Sequence, residues 1–68
     1  MSNYTEIIDQ LIELRKSKGL TQKELAAAAN LAQPAIARLE SKAAIPKLDT
    51  FVKVAGALGY SIEFVQQT

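Results

Sequence analysis

Apolar residues recur along most of this chain at spacings of three and four, the period of an amphipathic helix, and switch to a spacing of two only near the end. Ile7, Leu11 and Leu14 fall at i, i+4 and i+7 and predict a first helix over about residues 4–17. Asn3-x-x-Glu6 opens it as a weak cap, and Gly19, after a basic last turn and before apolar Leu20, predicts a Schellman stop. Ile8 and Ile12 widen the apolar face beyond that stripe. They either complete a small core or belong to a subunit or partner surface.

The next two segments are short. Thr21-Gln22-Lys23-Glu24 has the spacing of a capping box and predicts a helix over about 21–29, running through four alanines to Asn30, which tolerates the left-handed conformation at a helix end. Pro34 fits only the first turn of a helix, so the following segment is predicted to be helical over about 33–40. Ala32 stands where a capping hydroxyl is usual, a substitution worth about 1 kcal/mol of helix stability. Leu25 and Ala29, Leu31 in the turn, and Ile36 and Leu39 form the predicted centre of the core, while Gln33, Ala37 and Lys42 lie elsewhere around the third helix.

Pro46 places residues 42–47 in a loop. A fourth helix over about 48–58 is predicted to turn Leu48, Phe51, Val52, Ala55 and Leu58 inward, with Gly59 as its stop and Gly56 marking close packing. In the tail, Tyr60, Ile62 and Phe64 alternate with other residues and predict a strand over about 60–65. Nothing else in the chain reads as a strand, so this one needs a second chain; self-pairing across a two-fold axis would close a dimer. The alternative is an irregular tail folded onto the helices.

Composition narrows the chemistry. Sixty-eight residues make one small domain, near the size at which a single core is marginal and oligomerisation helps. The chain has no Cys and no His, which removes disulfides, thiol chemistry, and the commonest metal ligand and general base. No metal, cofactor, small-molecule substrate or enzymatic activity is therefore expected. No apolar run approaches the roughly 20 residues of a membrane span, and the start lacks a signal pattern, so a cytoplasmic protein is expected. A net charge of +1 argues only weakly for nucleic acid; the distribution argues more strongly. Arg15, Lys16, Lys18 and Lys23 cluster before the second helix with no acid between Glu13 and Glu24, and Arg38, Lys42 and Lys47 accompany the third.

The pattern T-Q-x-E-L-A at 21–26, Q-x-x-I-x-R-L-E at 33–40, the Pro46 loop and L-D-T-F-V-K-V-A-G-A-L-G at 48–59 together resemble the Cro and phage-repressor type helix-turn-helix family, the Xre-like family, from about Ile7 to Gly59. The resemblance implies an all-α, compact four-helix, lambda-repressor-like domain that offers its third helix to the major groove of double-stranded DNA. It implies that Gln22 binds phosphate, that Gln33 reads bases, and that Arg15 and Glu40 form a structural ion pair. Gln33 has the amide geometry for adenine, Arg38 reaches guanine or phosphate, and Pro34 and Ala37 touch only thymine methyls. Lys23, Ser41, Lys42 and Lys47 are the further candidates for phosphate contacts.

The tail departs from phage repressors, in which a fifth helix would follow, and resembles antitoxins of the HigA type. Two functions follow: a dimeric DNA-binding repressor, or an antitoxin that neutralises a toxin protein and regulates its own operon. Tyr60, Ile62, Phe64, Ile8 and Ile12 are the candidates for a dimer or partner surface.

Overall fold

The structure is a computed structural model that describes residues 3–67. Its elements are α1 (Tyr4–Ser17), α2 (Gln22–Ala28), α3 (Gln33–Ser41) and α4 (Leu48–Ala57), the all-α, four-helix arrangement expected from the sequence. No helix among the described residues is long and apolar enough to cross a membrane.

Each helix is short, so its ends matter as much as its interior. At the start of α1, Asn3 accepts from the amides of Thr5 and Glu6. At α2 the capping box is complete: the Thr21 hydroxyl accepts from the Glu24 amide at 3.0 Å, and the Glu24 carboxylate accepts from the Thr21 amide at 2.9 Å. The start of α3 carries Ala32 and no side-chain cap, with proline in its first turn. Three helix ends close alike. Leu20 N–H donates to Arg15 O, Leu31 N–H to Ala26 O and Tyr60 N–H to Ala55 O, each the long bond of a Schellman motif, around Gly19, Asn30 and Gly59 at positive φ. At α3 the left-handed residue is Lys42, with φ 61°, a conformation that crowds the Cβ of any residue but glycine.

The core is built from Ile8 and Leu11 of α1, Leu25, Ala26 and Ala29 of α2, Ile36 and Leu39 of α3, and Val54, Ala55 and Leu58 of α4. Burying each of the large residues stabilises the fold by about 1.5–3 kcal/mol. Two predicted stripes are rotated. On α1, Ile7 is exposed whereas Ile8 is 1% exposed, so Ile8 is a core residue and not a partner surface; Ile12 packs half-buried beside it. The chain offered two overlapping stripes, and the one that wins, Ile8, Leu11 and Ile12, continues into Arg15, whose partner lies inside the fold. On α4, Val54 replaces Leu48 and Val52 in the core, leaving those two 72% and 49% exposed. That helix is apolar on two flanks, and only the Phe51, Val54 and Leu58 flank meets the other helices.

Residues 60–67 form neither helix nor strand ladder, correcting the expected strand over 60–65. A strand exists through its backbone partners, and the described residues of this single chain supply none. Tyr60 borders a shallow depression on α1 with Gln10 and Leu14, while Phe64 and Val65 are fully solvent-facing. Gly56 is exposed too, and no neighbour lies within 4 Å of a Cβ placed there, so the close packing expected at that position is absent within the chain.

The capping box predicts a pH signature. The Thr21 amide, and then its hydroxyl, hold the Glu24 carboxyl below its ordinary value of 4.5. A lowered folded-state value stabilises the fold fully above the ordinary value and loses that contribution as the pH falls through the lowered one. Thermal melts in acid should therefore show a larger loss of stability for the wild type than for Glu24→Gln, in which this carboxylate is already replaced by an uncharged group. Parallel acid profiles for the two proteins would refute this.

Candidate nucleic-acid interface

The site starts from a framework on its inner side. Arg15 projects from α1 with all three guanidinium nitrogens engaged: Nε donates to Glu40 Oε2 at 2.7 Å, Nη2 to Glu40 Oε1 at 3.0 Å, and Nη1 to the carbonyl of Leu20 at 2.8 Å. The two side chains are only 11% and 8% exposed. Such a two-pronged pair fixes orientation as well as distance. Gln22, in the first turn of α2, adds its amide: Nε2 donates to Glu40 Oε1 at 3.0 Å. One carboxylate on α3 thus gathers α1, the turn at Leu20 and the start of α2. Sequence spacing alone does not reveal the Leu20 and Gln22 contacts.

Beside Glu40 and turned away from the core, Gln33, Pro34, Ala37, Arg38 and Ser41 are all exposed and share an arc of roughly 140° of the helix. Ile36 and Leu39 face the other way and are buried. Arg38, Pro34 and Ala35 form one wall of an open groove of about 460 Å³ whose other wall is Ile45, Pro46 and Lys47. Basic groups from helix and loop therefore border a common groove. Lys23 is exposed on the first turn of α2, and Lys47 is exposed at the cap of α4.

Besides Gln22, two more of the expected phosphate-binding side chains are already engaged. The Ser41 hydroxyl donates to Arg38 O at 2.7 Å and accepts from the Ala43 amide at 3.2 Å, so its proton is committed inside the chain. Lys42 places its ammonium 2.6 Å from Asp9 Oδ1 on α1, and its own carbonyl accepts a long bond from the Tyr4 hydroxyl. This pair is 33 residues apart in sequence and had no local signature. Its cause is the left-handed turn at Lys42, which swings the side chain towards α1.

Comparison with known proteins bears on the family and the fold. A helix-turn-helix family model matches residues 11–65. An uncharacterized HTH-type transcriptional regulator from Haemophilus influenzae is 36% identical over 59 residues, covering 87% of this chain; the chain spans only 60% of that relative's length. A chain in the structure of a HipA–HipB–O2–O3 complex superposes over 100% of this chain and 96% of its own length with a TM-score of 0.89 and 25% identity. A chain of a toxin–antitoxin module from Streptococcus pneumoniae is 40% identical with a TM-score of 0.77, covering 93% of this chain and 69% of its own.

The framework predicts a large penalty for removing one partner only. Glu40→Ala leaves a poorly exposed guanidinium and the Gln22 amide without their acceptor, and urea unfolding should show a loss of about 3–5 kcal/mol. A loss below about 1 kcal/mol, the value of an exposed pair, would refute the buried framework.

Proposed function

The chain belongs to the helix-turn-helix family, and from that premise we propose that it is a sequence-specific regulator of transcription that binds double-stranded DNA through α3. The observation that carries the proposal is the division of that helix into a face locked into the core and the Arg15–Glu40 framework, and an exposed arc that bears Gln33 and Arg38. A helix held on one side and polar on the other is what a major groove receives.

The roles then sort by chemistry. Gln33 at the start of α3 presents an amide that pairs with adenine N6 and N7, Arg38 a fork that fits guanine O6 and N7, and Pro34 and Ala37 apolar surface for thymine methyls. The Gln22 amide nitrogen has a second hydrogen beyond the one given to Glu40, and its orientation is fixed by that contact, so it serves a phosphate with little ordering cost. Lys23 and Lys47 supply free ammonium groups. Lys42 contributes only in competition with Asp9, and Ser41 only by giving up its internal bonds. With two strong readers per copy, specificity draws on DNA shape and on a second copy bound to an inverted half-site. Repression by occupying a promoter needs no further domain, no cofactor and no catalysis, and places the protein in the cytoplasm.

A second role is favoured by the likeness to a chain of a toxin–antitoxin module and to one of a complex containing HipA and HipB. We infer that the same chain also serves as an antitoxin, with a toxin protein as partner and the exposed tail as a candidate contact. The two roles coexist, since α3 and residues 60–67 are separate surfaces.

Binding measured on a selected operator and on scrambled DNA tests the DNA-binding role. Gln33→Ala and Arg38→Ala should each reduce discrimination by about 1–3 kcal/mol while the fold melts normally. Lys47→Ala should weaken binding to all sequences alike and flatten the salt dependence by about one phosphate contact. Retention of full operator preference by both α3 variants would overturn the proposed reading mode.

A further inference from the structure

Helix α4 carries a second apolar flank that the chain leaves uncovered. Leu48 and Val52 stand on it, 72% and 49% exposed. One turn beyond Val52 the same flank reaches Gly56, where a Cβ would meet nothing within 4 Å. Residues at i, i+4 and i+8 share one helix face, so Leu48, Val52 and Gly56 form a single stripe. A glycine in mid-helix weakens the helix relative to alanine, and nothing inside the chain accounts for this one.

The stripe is complementary to itself. Two copies laid antiparallel about a two-fold axis at Val52 would place Leu48 over the partner's Gly56, the largest side chain over the empty position, and Val52 against the partner's Val52. The bordering charges obey the same operation. Asp49 and Lys53 lie on one side of the stripe, and the two-fold brings Asp49 opposite the partner's Lys53 twice per pair. Asp49 Oδ1 accepts from the Thr50 amide at 2.8 Å, which holds the carboxylate at the helix surface and leaves its other oxygen free. Such self-matching of size and charge is the requirement of an isologous interface, in which residue i meets j and j meets i. A foreign partner would have no need of it.

We propose that the Leu48–Val52–Gly56 flank of α4 is the seam of a homodimer, packed antiparallel against the same flank of a second copy. The inference rests on the dimeric part of the DNA-binding reading and names the surface that makes the dimer. It also gives Gly56 a role: its bare backbone admits the partner's Leu48. The small core within one chain then needs no further enlargement, because the second copy covers the apolar surface that α4 leaves in water.

Sedimentation of the full chain over a concentration series tests the seam, using wild type, Val52→Glu and Gly56→Leu. Both positions are exposed in the single chain, so helix content should be kept in both variants. Val52→Glu should sediment as a monomer at concentrations where wild type is a dimer. Gly56→Leu gives the sharper result: it should raise the helix content and heat resistance of the monomer, because leucine is the better helix former, yet weaken dimerisation about tenfold or more by filling the space of the partner's Leu48. If both variants dimerise as tightly as wild type, the seam lies elsewhere while the dimeric reading stands. If wild type is monomeric at every concentration and binds DNA as a single copy, the dimeric reading fails and the seam with it.

Discussion

The Glu40 carboxylate is the constraint on which the arrangement of this small fold turns. Its two oxygens receive Arg15 from α1 and Gln22 from α2, and the same Arg15 reaches the Leu20 carbonyl in the turn between them. Apolar packing alone would hold four short helices together without fixing their rotation, since α1 and α4 each carry two usable apolar flanks. Because Arg15 must meet Glu40, the Ile8 flank of α1 faces the core and the Ile7 flank faces water. A directional pair thereby decides between hydrophobic alternatives that differ little in burial.

The sequence showed the helices and their ends because those are local matters. Thr21 and Glu24, Pro34, Gly19, Asn30 and Gly59 each act within a turn of where they stand. Helix rotation was less legible, as Ile7 against Ile8 and Val52 against Val54 show: neighbouring apolar residues define competing stripes, and only contacts with distant segments choose between them. The engagement of Lys42 with Asp9 was invisible for the same reason, being a consequence of an unusual backbone conformation at the end of α3. The alternation over residues 60–65 is a pattern only, and a pattern becomes a strand only when another backbone answers it.

Of the candidate interface, the exposed residues Gln33, Pro34, Ala37 and Arg38 are on one arc because the buried residues Ile36 and Leu39 oblige them to be. Ser41 and Lys42 show where residue type misleads. A hydroxyl and an ammonium are generic anion-binding groups, yet local geometry has given both of them partners within the chain. Of the remaining basic groups, Arg38 and Lys47 border one groove from opposite walls, an arrangement set by the short loop around Pro46.

The interleaving of the two faces on α3 has a consequence for how such a protein changes over generations. Residues that hold the helix and residues that face outward alternate along nine positions without sharing a side chain. Replacing an outward residue leaves the core and the Glu40 network untouched, so target preference and foldability vary almost independently. The alanine at 37 is an unwritten position on that face. A new hydrogen-bonding group can enter there, altering what the helix prefers without putting the fold at risk.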